Sequence, residues 1–183
     1  MTRKTKRIII SILAIVVVLV GTSLYLTIST KNHSPLAHAT YDKDGLSIDI
    51  KYCQPFKKGR LIFGDEKDGA LQPFGKYWRL GANEATTITT NKNVKFGGHS
   101  LEAGTYSLYA IPGVEFFTIA VNEVYDRWGY AEADVSKDIF RLNVPVEYTN
   151  ASIEQLQINF IEKGDNALLK IGWDTTELKI EIE

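Results

Sequence analysis

The chain begins with one long apolar segment. Residues 8–28 (IIISILAIVVVLVGTSLYLTI) are apolar almost throughout, with only small or hydroxyl residues between them. At about 1.5 Å per residue, a helix of this length spans roughly the 30 Å of a bilayer core. The pattern therefore predicts a basic tail and one transmembrane helix within residues 1–28.

After a polar, proline-containing stretch at residues 29–40, which we interpret as a tether, the hydrophobic pattern has a period of two. Glycine- and proline-rich turn signals separate the alternating segments, and no convincing amphipathic helix follows the apolar segment. This pattern predicts an all-β domain over residues 41–183, an antiparallel β-sandwich of jelly-roll or immunoglobulin-like type. The alternating segments are residues 47–52, 116–122, 139–144, 155–160, 169–173 and 177–183.

The charges around the apolar segment predict its orientation. Arg3, Lys4, Lys6 and Arg7 precede it, and the first basic residue after it is Lys31. Under the positive-inside rule, the N-terminus is cytoplasmic and the following domain is extracytoplasmic, which in a bacterial envelope means the periplasm. A cleaved signal peptide has the same charge pattern but usually a shorter apolar region, so an uncleaved signal anchor is the preferred interpretation.

The composition narrows the classes of partner. The chain has 21 Lys and Arg against 22 Asp and Glu, and four of these cations precede the helix, so the domain is acidic. Nucleic-acid binding needs a basic surface, and we expect no nucleic acid as a partner. The single cysteine, Cys53, forms no intramolecular disulfide, and the domain must depend on its hydrophobic core.

The usual signatures of metal and cofactor sites are missing from the sequence. His33, His38 and His99 have no cysteine or acid at zinc-ligand spacing, and residues 42–45 lack the end ligands of a calcium loop. Neither a nucleophile elbow nor a phosphate-binding glycine loop occurs. We therefore expect no metal, no cofactor and no complete catalytic constellation.

One segment, WRLGANEATTITT at residues 78–90, concentrates side chains that bind ligands. Gly81 permits a backbone turn there, and the threonines that follow favour a strand. One interpretation is structural, with Arg79 paired to Glu84 or to an aspartate. The alternative is a ligand site in which Arg79, Asn83 and Glu84 bind a polar molecule beside a wall made by Trp78 and its neighbour Tyr77.

A hydrolase is a further alternative. Glycoside hydrolases use two carboxylates about 5 to 9.5 Å apart, and Glu84 offers one of them. The second would come from Glu102, Asp126 or Asp138.

Several motifs occur in a fixed order along the chain. They are Tyr-x-x-Pro at 52–55, Lys-Gly-Arg at 58–60, Trp-Arg-x-Gly-Ala-Asn-Glu-Ala-Thr at 78–86, Ala-Gly-Thr-Tyr-Ser-Leu at 103–108, Trp-Gly at 128–129 and Asp-x-x-Arg at 138–141. In this order they resemble the bacterial family called domain of unknown function 2911. The resemblance implies an exported, predominantly β protein, and it carries no established activity. Family members commonly have an arginine where this chain has Gln54, so an anion site that joined it to Arg60 and Arg79 would be weaker here.

These observations favour a membrane-anchored, non-catalytic binding module. Its ligand would be small and polar or carbohydrate-like, or its partner another envelope protein, and the enzyme and the purely structural protein remain the alternatives. The candidate ligand contacts are Trp78, Arg79, Asn83, Glu84 and Arg60.

Overall fold

The computed structural model of the chain describes residues 2–129 and 131–183, except for the side chains of residues 26–28 and 31. The chain divides into two compact units, Met1–His33 and Ser34–Glu183. The first unit contains helix α1, Arg3–His33. Its portion Arg3–Tyr25 is long and apolar enough to cross a membrane, a property that signal sequences share.

The second unit consists of twelve strands and two short 3-10 helices, Glu66–Asp68 and Val135–Lys137. The strands are β1 (Leu36–Lys43), β2 (Leu46–Cys53), β3 (Phe63–Gly64), β4 (Gln72–Pro73), β5 (Thr86–Thr90), β6 (Val94–Phe96), β7 (His99–Leu101), β8 (Gly104–Ile111), β9 (Phe116–Asn122), β10 (Asp138–Pro145), β11 (Glu147–Lys163) and β12 (Asn166–Ile182).

Two antiparallel sheets make up most of this unit. One has six strands in the order β1-β2-β5-β8-β9-β10, and the other has four in the order β11-β12-β6-β7. Strands β3 and β4 form a separate two-stranded parallel sheet. Apolar residues of both large sheets lie in a single buried cluster, for example Ile50 and Val121 from the six-stranded sheet and Leu156 and Ile180 from the other. The predicted antiparallel sandwich is confirmed.

Residues 29–40, which the sequence analysis interpreted as a tether, contain the end of the helix and the start of the first strand. Helix α1 ends at His33 and β1 begins at Leu36. Residues such as Ala37 and His38 have weak strand propensity, so the sequence pattern did not predict a strand here. Pairing overrides this propensity, because β1 pairs with β2 along its whole length, from Leu36 opposite Cys53 to Lys43 opposite Leu46. The β unit accordingly starts before residue 41.

Candidate functional site

Residues 77–86, which we call the corner, connect β4 to β5 and lie at the end of β8. The backbone of Trp78 is hydrogen-bonded in both directions to this strand, with N–O distances of 2.8 Å. Trp78 and Leu80 are core residues, whereas Tyr77 and Arg79 alternate with them and are half-buried. In an extended segment, alternate side chains lie on opposite faces, so Tyr77 and Arg79 lie on the side away from the core.

The turn in the corner depends on close packing against β2. A Cβ atom at Gly81 would lie 2.9 Å from the carbonyl oxygen of Cys53, so any side chain there would displace backbone. The residues of this turn in the left-handed backbone conformation are Leu80 and Asn83, with φ of 56° and 57°. Thr86 Oγ1 donates to the carbonyl oxygen of Leu80 at 2.9 Å and closes the turn.

Two of the predicted ligand contacts, Asn83 and Glu84, are engaged within the fold. Asn83 is buried and its side-chain amide donates to the carbonyl oxygen of Ser34 at 3.3 Å. Glu84 is half-buried, and its Oε2 accepts from Cys53 Sγ at 3.3 Å. Burial, followed by the neighbouring Glu84 carboxylate, raises the pKa of the Cys53 thiol and keeps it protonated.

Arg79 makes few contacts of its own with the fold. Its single hydrogen bond runs from Nη1 to the carbonyl oxygen of Asn83 at 3.4 Å, and it forms no ion pair with any described residue. Glu84 accepts from Cys53 and not from Arg79, so the pair expected from the structural interpretation does not form. A half-buried guanidinium therefore lies in the corner without an ion-pair partner among the residues described.

The other two candidates, Trp78 and Arg60, do not lie on the outer side of the corner. Trp78 is 2 % exposed and packs in the core against Trp173, with ring centroids 6.1 Å apart and an interplanar angle of 24°. It therefore offers no face to a ligand. Arg60 is exposed, and its hydrogen bonds stay within its own loop, to the carbonyl oxygens of Lys57 and Phe56. The structure does not bring Arg60 into contact with the corner.

A loop between β9 and β10 lies against the corner. This segment, which we call the Trp128 loop, covers residues 123–134 and is described except at residue 130. A Cβ at Gly129 would lie 2.6 Å from the carbonyl oxygen of Asn83 and 3.0 Å from the backbone nitrogen of Ala85. Only glycine allows the two backbones to approach so closely. The neighbouring Trp128 is 59 % exposed.

Beside the corner, on the outer face of the six-stranded sheet, five side chains form what we call the tyrosine–arginine cluster: Tyr77, Tyr109, Arg127, Asp138 and Arg141. The rings of Tyr77 and Tyr109 lie 5.0 Å apart, and Arg127 Nη2 donates to Tyr77 Oη at 2.7 Å. The hydroxyl of Tyr109 donates to Asp138 Oδ2 at 2.7 Å. Arg141 donates from Nε to Asp138 Oδ2 and from Nη2 to Tyr109 Oη, both at 2.6 Å.

The Asp138 carboxylate is the centre of this cluster. Its side chain is 8 % exposed, and Asn122 Nδ2 donates to its Oδ1 at 2.7 Å, so both oxygens accept hydrogen bonds. Burial, and next the adjacent Asp138 carboxylate, raise the pKa of Tyr109 to about 12. The carboxylate also raises the pKa of the Arg141 guanidinium. At neutral pH the Asp138 carboxylate is therefore bonded to the Arg141 guanidinium and to the neutral phenol of Tyr109.

This arrangement predicts a loss of stability at alkaline pH. The folded protein holds Tyr109 neutral up to a pKa of about 12, above the ordinary value of 10.0. The stabilising contribution is therefore complete below pH 10 and is lost as the pH rises towards 12. We expect the free energy of unfolding, measured with urea at several pH values, to fall in this window, and to fall less in Tyr109→Phe. Parallel curves for the two proteins would contradict the expectation.

The structure gives little support to a carboxylate-pair reaction. Glu102 precedes β8, and the corner pairs with the opposite end of that strand. Both oxygens of Asp138 accept hydrogen bonds, one from Asn122 and the other from Tyr109, and Asp126 is exposed in the Trp128 loop. Glu84 has Cys53 as its hydrogen-bond partner in the described part of the chain. Within that part, no group of three or more His, Cys, Asp or Glu could hold a metal ion.

Two cavities lie away from the corner and the cluster. One of about 100 Å³ is lined by Leu61, Phe63, Phe74, Phe117, Tyr148, Asp174, Thr175 and Thr176. The other, of about 310 Å³, is lined by Asn93, Val94, Lys95, Ser100, Leu101, Glu102 and Glu183. The corner residues line neither of them.

Sequence reasoning overlooked Tyr109 and Arg127 as site residues. In β8 the core residues Leu108 and Ala110 flank Tyr109, and this alternation was the available signal that its ring lies on the outer face. Arg127 had no such signal, because it belongs to a loop whose course the local pattern does not specify.

Comparison with known proteins gives one match. A family model described as "Protein of unknown function (DUF2911)" matches residues 34–182. No curated protein and no solved structure matches the chain.

Proposed function

Since the chain belongs to the DUF2911 family, whose description carries no activity, we propose a function from the geometry of the corner and the Trp128 loop. The domain is a non-catalytic module that binds a small polar ligand on the outer side of the corner. Helix α1 anchors it in a membrane with the N-terminus in the cytoplasm, and the domain is extracytoplasmic.

The observation that carries this proposal is the state of Arg79. The side chain is half-buried, yet it makes one hydrogen bond of 3.4 Å and no ion pair within the described residues. Partial burial of a charge is costly unless the charge is paired. A ligand that supplies acceptors to the free N–H groups recovers this cost, and binding sites commonly contain polar groups left open in this way.

The surroundings of Arg79 suit a binding site better than a reaction centre. Exposed Trp128 offers an aromatic face in the loop that packs on the corner. Glu84 keeps Oε1 free of any hydrogen bond to the described residues, so it can accept from a ligand hydroxyl. The thiol of Cys53 is buried and protonated, which makes it a poor nucleophile.

We expect at least one class of small polar compound to bind the corner. The test uses the full chain, isotope-labelled in detergent micelles, with glucose, N-acetylglucosamine, glycine, glucuronate, glucose 6-phosphate and inorganic phosphate added one at a time. Binding is expected to move the amide signals of residues 79–86 and the indole signal of Trp128, and to leave those of β11 unchanged. Arg79→Gln should need a much higher ligand concentration for the same response, whereas Lys95→Gln, on the other sheet, should respond as the wild type does.

The structural alternative has its own support, because Asn83 and Trp78 are both buried. If none of the six compounds moves the corner signals at concentrations up to about 10 mM, where even ligands with millimolar affinity would be bound, the corner serves only the fold. The binding proposal is then withdrawn.

A further inference from the structure

We propose that the ligand of this site carries an oxyanion on a sugar-like ring, as in a sugar acid or a sugar phosphate, with the oxyanion bound by Arg79 and Arg127 and the ring stacked on Trp128. This inference rests on the proposed binding function and specifies the chemistry of its ligand. It follows from the unpaired charges at the corner, their placement and the exposed indole.

Arg79 supplies the first unpaired charge. Its hydrogen-bond partner is a neutral carbonyl oxygen, that of Asn83, and the remaining N–H groups have no acceptor among residues 2–129 and 131–183. The planar fork of a guanidinium matches the two oxygens of a carboxylate or a phosphate, and such bidentate bonds are about twice as strong as neutral ones.

Arg127 supplies the second unpaired charge. Its Nη1 donates to the carbonyl oxygen of Ala131 and its Nη2 to the hydroxyl of Tyr77, both at 2.7 Å. Its Nε is buried and has no acceptor in the described part of the chain. Its hydrogen-bond partners among the described residues are both neutral, and it forms no ion pair with any of these residues. In this it differs from Arg141, the other guanidinium of the cluster, whose charge is matched by Asp138.

The two unpaired guanidinium groups belong to segments that are packed against each other. Arg79 Nη1 donates to the carbonyl oxygen of Asn83, and a Cβ at Gly129 would lie 2.6 Å from the same oxygen. Arg127 is two residues before Gly129 and bonds to Tyr77, which is two residues before Arg79 and on the same side of the segment. An oxyanion that accepts from both guanidinium groups would join these two segments on the side of the corner away from the core.

Glu84 limits the kind of anion that fits. Its carboxylate belongs to the same corner, so the two guanidinium groups and Glu84 leave one net positive charge for the ligand to match. A carboxylate is also the usual acceptor for ligand hydroxyl groups, because it has acceptor positions only. A molecule with one oxyanion and neighbouring hydroxyl groups therefore suits the site better than a bare ion.

Trp128 accounts for the ring. At 59 % exposure it is the accessible one of the three tryptophans, since Trp78 and Trp173 are 2 % and 1 % exposed. The flat indole face packs well against the apolar face of a ring whose edge carries hydroxyl groups. Gly129 fixes the position of Trp128 by packing its backbone onto the corner.

The test measures the tryptophan fluorescence of the full chain in a nonionic detergent, titrated with glucuronate, glucose 6-phosphate and glucose. Because Trp128 is exposed, its emission responds to a bound ring, and Trp128→Phe should remove the response. We expect saturable binding of glucuronate or glucose 6-phosphate, and which of the two binds more tightly identifies the oxyanion. Glucose should bind at least tenfold more weakly.

Variants separate the charge from the fold. Arg79→Gln and Arg127→Gln are each expected to weaken binding of the anionic sugar about 10- to 100-fold, as is usual for the loss of a charged hydrogen bond. Arg79→Lys, which keeps the charge but loses the fork, should fall between wild type and Arg79→Gln. Lys95→Gln should bind as the wild type does. Circular dichroism establishes that each variant is folded.

Three results would overturn the inference. If glucose binds as tightly as the anionic sugars, or if both arginine variants bind them normally, the ligand needs no oxyanion, although the binding function stands. If neither anionic sugar binds, the inference fails, and the remaining compounds of the six-compound test still decide the binding function.

Discussion

Replacing Trp78 by alanine is expected to lower the free energy of unfolding by about 3–5 kcal/mol, the usual loss for a buried aromatic residue. The indole is 2 % exposed and lies in a cluster of rings, with centroids 5.1 Å from Phe63 and 6.1 Å from Trp173. Alanine leaves a cavity in this cluster, because the surrounding sheets relax only in part. Urea or guanidinium denaturation followed by circular dichroism measures the change.

Trp128→Ala is the matched control, since it removes the same side chain from an exposed position. We expect its free energy of unfolding to lie within about 0.5 kcal/mol of the wild-type value. Equal losses in the two variants would show that Trp78 is not the core residue that the structure describes. A phenylalanine at position 78 should recover most of the loss, because the Nε1 of Trp78 has no hydrogen-bond partner in the described residues.

Replacing Asp138 by alanine is the second change with a large expected effect, a loss of about 3 kcal/mol. The carboxylate accepts from Tyr109, Arg141 and Asn122, at 2.6 to 2.7 Å. Its removal leaves the buried donors of Tyr109 and Asn122 with fewer acceptors and the Arg141 guanidinium without its counter-charge. Removing one partner of a buried charged pair lowers the free energy of unfolding more than removing one partner of an exposed pair does.

The control for this change is Asp126→Ala, because Asp126 is an exposed aspartate in the neighbouring loop. The free energy of unfolding of Asp126→Ala should lie within about 0.5 kcal/mol of the wild-type value. Asp138→Asn is expected to be intermediate, since it retains an acceptor oxygen but not the charge. If denaturation in urea gives Asp138→Ala the stability of the wild type, the hydrogen bonds of the cluster do not stabilise the fold.

Much of the fold was accessible from the sequence. The alternation of Leu156, Ile158 and Phe160 with polar residues predicts a strand with one buried face, and β11 is such a strand. Local periodicity reports the face that a residue presents, and this is enough for a sandwich. Local periodicity did not predict β1, because Ala37 and His38 have little strand propensity. This strand forms because it pairs with β2.

Only part of the candidate site could be predicted from the sequence. The sequence indicated Arg79, Asn83 and Glu84 as polar residues at a turn, but whether a polar residue is paired depends on contacts from distant segments. Asn83 bonds to Ser34, and Glu84 to Cys53, across tens of residues. Trp78 was misassigned to a ligand wall for the same reason, because a residue beside a turn can face either way until its strand partner is known.

The hairpin formed by β11 and β12 has a consequence for the order in which the chain folds. Its strands of 17 residues each are joined at the turn beside Lys163 and Asn166, which are paired. Contacts between neighbours in the sequence close short loops and lose little chain entropy. By contrast, β6 pairs with the last residues of the chain, around Ile182, across most of the domain. The hairpin therefore closes at low entropic cost, whereas the pairing of β6 with β12 closes a much longer loop, and we expect the hairpin to form before β6 joins the four-stranded sheet.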